Sequence, residues 1–271
     1  GRGFGVEGIL GPFASGLLIT ATGSSTRFLS YFLALHKTYV AEITLGSETD
    51  TLDTEGDVIR RQPVPPLSSE LLTNTAHRFI GQIEQIPPLY SNLKIDGRRG
   101  HEIAREGGTV DMRPRQVQVH SLSLAMDFHS QAVEFHSIAM EKHNQVMMRC
   151  TVSSGTYIRT LARYIAVTLG TCGYLSALRR VSIGHFSAGE NPPAVSGGLT
   201  LSEMSDFEAL SFFGVVQLSE ADAKKFLNGV PLSGVEQSDG IYRICSGERF
   251  FGLGSVTAYK LRVEKIYSTA P

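Results

Sequence analysis

The chain has 271 residues, 42% of them hydrophobic, and a formal net charge of −1, so it can bury one large core or two modest ones and carries no global basic footprint. Three scattered cysteines, Cys150, Cys172 and Cys245, supply neither a disulfide framework nor a CxxC pair, and the longest apolar stretches, such as 28–35, fall short of the roughly 20 residues a membrane span needs. A reducing cytoplasm, no membrane and a local patch for any nucleic-acid partner are the resulting expectations.

The chain opens on Gly1 without a Met or a leader-like segment, and a missing N-terminal stretch is expected. A Gly/Pro-punctuated loop, Gly8 to Leu18, runs into an apolar strand over 17–21. Ser24 or Ser25 can cap a helix carrying Phe28, Phe32 and Leu35. Lys37 to Gly46 places Tyr39, Ala41, Ile43 and Leu45 on one face at period two, and Val146, Met148, Cys150 and Val152 repeat the pattern; both read as half-buried strands. Ser68 precedes a helix with Leu71, Leu72, Phe79 and Ile80, and a further helix carries Ile158, Leu161, Ala162, Ile165 and Leu169 up to a C-terminal Gly170. Gly189 to Gly198 concentrates Gly, Pro, Asn and Ser and reads as a linker. Beyond it come a short helix over 221–227 and strands over 239–244, 249–254 and 258–266. Strands and helices without strict alternation indicate an α+β fold with helices packed on a mixed or antiparallel sheet, followed by a small, mostly β module.

GxGxxG, Walker, HExxH and GxSxG patterns are absent and the eight histidines are dispersed, so no cofactor and no metal site is assigned. Taken singly, Tyr39 reads as a strand aromatic and Arg159 as a solvated helix charge. What changes this is the wording of a series of segments in order: Gly8-Ile-Leu-Gly-Pro-Phe-Ala-Ser-Gly-Leu-Leu18, Lys37-Thr-Tyr39, Thr49-Asp-Thr-Leu-Asp53, Gln85-Ile-Pro-Pro-Leu-Tyr-Ser-Asn-Leu-Lys94, Ser154-Gly-Thr-Tyr-Ile-Arg159 and Tyr174-Leu-Ser-Ala-Leu-Arg-Arg180. Together they resemble the TruB family of tRNA pseudouridine synthases.

The resemblance implies a pseudouridine synthase domain over 1–188, a linker over 189–198 and a PUA-like RNA-binding module over 199–271. It implies an RNA partner, the T arm of tRNA, a monomeric chain, and isomerisation of uridine to pseudouridine without a cofactor. In the family an aspartate opens the reaction, a tyrosine stacks on the base and takes part in the later C5 deprotonation, an arginine pairs with the aspartate, and apolar residues wall the pocket. Tyr39 matches the tyrosine, Arg159 the arginine and Leu178 the wall, with Tyr157 in support. Arg27, Lys94, Arg179 and Arg180 fall where the family has basic residues and are candidates for RNA phosphates.

The aspartate position is occupied by Gly11, which has no side chain to act as nucleophile, base or acceptor. Val6, Ile9, Asn92, His101 and Tyr164 also depart from the family's usual residues, and its N-terminal Lys-Pro loop is missing. Glu7 would have to reach the pocket from a different backbone site. The expectations are an isomerase site that is silent or strongly impaired, a buried Arg159 short of its carboxylate, and, as alternatives, a non-catalytic tRNA-binding or tRNA-folding protein or a degenerate copy that folds poorly.

Overall fold

The strand Lys37–Leu45 lies inside a seven-stranded sheet in the computed structural model, which describes residues 3–88, 94–95, 98–99, 113–126, 144–188 and 202–267. Across that sheet the order is Phe186–Ser187, Gly173–Ile183, Lys37–Leu45, Gln145–Val152, Arg115–Ala125 and Gly81–Gln85, all antiparallel. The seventh strand, Ala14–Gly16, runs parallel beside Gly173–Ile183. By internal contacts the chain forms two units: residues 8–18 with 31–194, and residues 1–7 and 19–30 with 195–271. The linker expected over 189–198 lies outside the described residues.

The period-two face of Lys37–Leu45 does what its pattern requires: Ala41, Ile43 and Leu45 are at most 2% exposed and pack with Val146, Met148, Cys150 and Val152 into one core. The helix Ile158–Thr168 closes that core with Leu161, Ala162, Ile165 and Ala166, and the helix Ser69–Phe79 adds Leu72 and Ala76. Each large aliphatic side chain so buried contributes about 1.5–3 kcal/mol. The strand is more buried than an alternating pattern suggests, because Val40 and Glu42 on its other face are also buried. Glu42 is tolerated there because Ser176 Oγ (2.7 Å) and Gln145 Nε2 (3.1 Å) donate to its Oε1.

Two helix-end signals hold atom for atom. Ser68 caps Ser69–Phe79, its Oγ accepting from the Leu71 N–H at 3.1 Å. Gly170, at φ +85°, ends Ile158–Thr168 with paired bonds from Gly170 N–H to Val167 O (3.0 Å) and Thr171 N–H to Ala166 O (3.1 Å), a Schellman motif. The first helix differs from expectation. It starts as a 3-10 turn over Gly23–Phe28, continues as Leu29–Leu33, and has Thr22 at its N-cap with no side-chain bond. Ser25 does not cap it; its hydroxyl donates to Asp206 at 2.8 Å instead.

The second unit is built on a five-stranded sheet in the order Gly214–Gln217, Gly240–Ser246, Arg249–Thr257, Lys260–Ile266 and Leu232–Ser233. The helix Glu220–Leu227, capped by Ser219, buries Ala223 and Phe226 against Val216, Ile244, Val256 and Leu261. The strand pair Phe4–Glu7 with Ile19–Thr22 and the 3-10 turn belong to this unit as well. Among the described residues no helix is long and apolar enough to cross a membrane, and no group of three or more His, Cys, Asp or Glu could hold a metal ion.

Candidate functional site

The loop 8–18 is laid onto the strand Gly173–Ile183 by backbone pairing of Ala14, Ser15 and Gly16 with Leu178, Arg179 and Arg180. The approach is close enough to require glycine at position 16: φ is +109° and a Cβ would lie 2.2 Å from Arg180 O. Just upstream, the Ala14 N–H donates to Gly11 O at 3.0 Å and holds the turn that presents residue 11. Gly11 is exposed, its φ lies outside the left-handed region, and a Cβ there would meet only the Phe13 ring, at 3.8 Å. Nothing in this backbone requires a glycine at position 11.

Leu178 comes from the strand that pairs with the loop, and Tyr39 from the next strand of the same sheet. Strand register sets Leu178 between Ala14 and Ala41, half-buried against the core, and sets Tyr39 between Arg180 and Cys150. Tyr39 is 9% exposed. Burial pushes its phenol above the usual tyrosine value, and the Arg180 charge partly offsets that rise.

Arg159 stands in the first turn of Ile158–Thr168 and is not left without a carboxylate. Its Nη1 donates to Asp53 Oδ2 at 2.8 Å and to Thr51 O at 3.0 Å, which corrects the expectation of an orphaned cation. Asp53 is fully engaged: Oδ1 accepts from Thr51 Oγ1 (2.6 Å) and from the Glu55 N–H (3.0 Å), while its own carbonyl accepts from Thr49 Oγ1 (2.7 Å). The preceding residue, Leu52, adopts φ +63°, a left-handed conformation that costs a branched side chain about 1–2 kcal/mol. Leu175 N–H to Leu52 O (3.0 Å) holds it there. One helical turn beyond Arg159, Arg163 Nε reaches buried Glu48 at 3.4 Å, so two ion pairs join the helix to residues 48–53.

Tyr157, at the N-cap of the same helix, is fixed by a two-way amide exchange with buried Gln85: Tyr157 N–H to Gln85 Oε1 (3.0 Å) and Gln85 Nε2 to Tyr157 O (3.3 Å). Asp53 and Gln85 both stand in segments that resemble the family, yet nothing in the sequence marks either as a site residue. Each acts on a residue far along the chain, and the side-chain type alone carries no sign of its partner.

The basic candidates separate. Arg179 and Arg180 are 8% and 2% exposed, so neither guanidinium stands at the surface where a phosphate would meet it. Arg180 Nε donates instead to Leu17 O at 2.8 Å. Arg27 is exposed and belongs to the other unit, where its Nη1 donates to Ile266 O. Lys94 starts a short strand paired with Arg98–Arg99, and its side chain lies outside the described residues, as do Asn92 and His101. Glu7 pairs with Ile19 in the strand Phe4–Glu7 of the other unit. Tyr164, one of the departures, accepts the Ile86 N–H on its hydroxyl at 3.2 Å.

Residues 2–158 match the family described as TruB family pseudouridylate synthase (N terminal domain), and residues 214–264 match Pseudouridine synthase II TruB, C-terminal. The chain belongs to the TruB family. It is 37% identical over 275 residues to the tRNA pseudouridine synthase B of Azoarcus sp. (strain BH72), covering 98% of this chain and 85% of that protein. The Burkholderia lata protein of the same name is 34% identical over 98% of this chain and 82% of its own. Among solved structures, a Cbf5-Nop10-Gar1 complex superimposes with a TM-score of 0.64 at 19% identity, covering 97% of this chain and 76% of that one. An H/ACA RNP bound to a substrate RNA containing 2′-deoxyuridine gives 0.65 at 18%, over 98% and 76%. The larger sheet with its packed helices is thus the pseudouridine synthase fold, and the curled five-stranded sheet is a PUA-like module.

Proposed function

We propose that this chain binds the T arm of tRNA as a pseudouridine synthase does and, as it stands, does not turn the uridine over. Pseudouridine formation breaks the N-glycosidic bond, rotates the base and rejoins it through C5, with the base first drawn out of the RNA fold. The observation that carries this reading is Gly11. The loop, Tyr39, Leu178 and Arg159 occupy the family's pattern positions, while the position that should open the reaction has no side chain. Tyr39 supplies a neutral, buried phenol to stack on the base, Leu178 an apolar wall, and Arg159, oriented by Asp53, a fixed positive charge. Asp53 does not stand in for the missing group: its side chain is only 4% exposed, on a different segment from the loop, and is held there by Arg159, Thr51 and Glu55. Among the described candidate side chains, Arg27 is the exposed one and offers a phosphate contact.

The test is tRNA binding together with pseudouridine formation, in this chain and in Gly11→Asp. The expected result is salt-dependent binding by both and turnover only by Gly11→Asp, whose new Cβ the loop accommodates. Turnover by the unaltered chain at the rate of an aspartate-bearing relative would refute the proposal. Binding by both without turnover by either would favour a purely tRNA-binding or tRNA-folding protein.

A further inference from the structure

We propose that Arg180 is a positioning residue of this site: its buried guanidinium ties the loop carrying position 11 to the strand carrying Tyr39. The inference rests on the reading of Tyr39 and position 11 as parts of one site. Three contacts lead to it. The main chain of Arg180 accepts the Leu17 N–H and its side-chain Nε donates to Leu17 O, both at 2.8 Å, so one residue holds the C-terminal end of the loop by backbone and side chain together. At the other end, Nη1 lies 3.2 Å from where a Cβ of Gly8 would stand, so the guanidinium packs beneath that residue too. Residues 8 and 17 therefore bracket position 11 from a single cation. On its far side, Arg180 pairs in register with Tyr39 across the sheet, and its charge partly offsets the burial-driven rise of the Tyr39 phenol.

The arrangement is costly. Arg180 is 2% exposed, Nη2 has no hydrogen-bond partner among the described atoms, and no described carboxylate forms an ion pair with it. A buried cation without a counter-charge is a poor way to build stability, and an apolar side chain of similar volume would ordinarily serve as well or better. What an apolar residue could not do is hold the loop by a directed donor at Leu17 while placing a positive charge beside a phenol. The same burial removes Arg180 from direct contact with an RNA backbone, so its action on the substrate runs through the loop and Tyr39.

Arg180→Met and Arg180→Lys test this in the full chain. Tyr39 titration is followed by ultraviolet absorbance as the difference from a Tyr39→Phe control, and loop closure by hydrogen exchange over residues 8–18. Cys150 faces Tyr39 from the other neighbouring strand and is unchanged in every variant. In Arg180→Met, Tyr39 should titrate at higher pH and exchange in the loop should quicken by about tenfold, the scale of one lost hydrogen bond. Arg180→Lys, which keeps the charge and loses the fork, should recover the Tyr39 titration but not the loop protection. In a Gly11→Asp background, Arg180→Lys should lower kcat by about tenfold or more with KM within roughly threefold. Unchanged titration and unchanged loop exchange in a folded Arg180→Met protein would overturn the proposal. If that variant does not fold, loop protection retained in Arg180→Lys overturns it instead. An inactive Gly11→Asp parent would count against the isomerase reading alone, since titration and exchange still decide the role of Arg180.

Discussion

Deleting a carboxylate beside a buried arginine usually leaves a cation to be compensated, and Arg159 shows the compensation already built in from a second direction. Asp53 makes the pair at 2.8 Å from 106 residues away, with side-chain exposures of 19% for Arg159 and 4% for Asp53. Removing the Asp53 charge should therefore cost more than a surface pair would. Asp53→Asn is expected to lower the unfolding free energy by roughly 2–3 kcal/mol in urea titration, whereas Thr51→Ala, which removes one neutral donor, should cost about 1 kcal/mol. Equal small losses would mean that the pair behaves as a solvated one. The sequence displays Asp53 inside a recognisable segment but not its partner, because pairing over such a separation is set by the fold. Burial acts at this scale on pH as well. It pushes the Cys150 thiol up to about 12 and raises Tyr39, Cys172 and Cys245 in the same direction. In the unfolded chain cysteine titrates near 8.5 and tyrosine near 10, so at alkaline pH the unfolded state loses protons that the folded state keeps. Stability should be flat with respect to these groups below about pH 8 and fall above about pH 8.5, by up to ~1.4 kcal/mol per pH unit for each group in its window. Denaturation followed from pH 7 to 11 checks the sign, and Cys150→Ala should remove part of the slope.

At the scale of elements, the chain was legible wherever a local signal had a local job. Ser68 and Gly170 end their helices by bonds to residues within five positions, so the letters suffice. The hairpin between Arg249–Thr257 and Lys260–Ile266 shows the opposite case. The sequence suggests a strand running from 258, with no Asn-Gly to mark a turn, yet Ala258 and Tyr259 form the turn at φ +50° and +60°. Both central residues with positive φ is the geometry that favours Asn-Gly, and two L side chains adopt it only under constraint. The constraint is visible: Asp239 Oδ1 accepts the Ala258 N–H at 2.9 Å, and Tyr259 O accepts the N–H groups of Gly234 (3.0 Å) and Val235 (3.2 Å). Tertiary hydrogen bonds override the local preference and leave Tyr259 70% exposed. Replacing the pair, Ala258→Asn with Tyr259→Gly, should relieve about 1 kcal/mol or more and raise the unfolding midpoint by about 2–4 °C in calorimetry. A fall in midpoint would show that the exposed ring contributes more than the backbone loses.

At the scale of the molecule, the Gly/Pro-rich stretch over 189–198 suggests one boundary, and the family resemblance implies a single domain before it. The units formed by the chain are not contiguous: residues 1–7 and 19–30 cluster with 195–271, and the loop between them, 8–18, clusters with the catalytic-type sheet. No local pattern announces this, because the contacts that decide it span more than 180 residues. Ser25 donates to Asp206, Arg27 to Ile266 O, and the Phe28 ring stands 6.3 Å from Phe250, which in turn stacks near Phe207 (5.8 Å) and Tyr267 (5.5 Å). Arg243 covers the Phe207 ring at 4.3 Å and completes the cluster. Phe28 is 1% exposed, so its removal leaves a cavity inside this unit, of the kind that costs about 3 kcal/mol or more for a buried aromatic. If residues 19–30 are part of the PUA-like unit, Phe28→Ala should quicken hydrogen exchange in Arg249–Thr257 and Lys260–Ile266, although Phe28 lies more than 200 residues away in sequence. Protection of Lys37–Leu45, only nine residues downstream of Phe28, should be far less affected. The reverse pattern, with loss confined to Lys37–Leu45 and the C-terminal strands intact, would place Phe28 with the sheet that follows it in sequence and undo the division into these units.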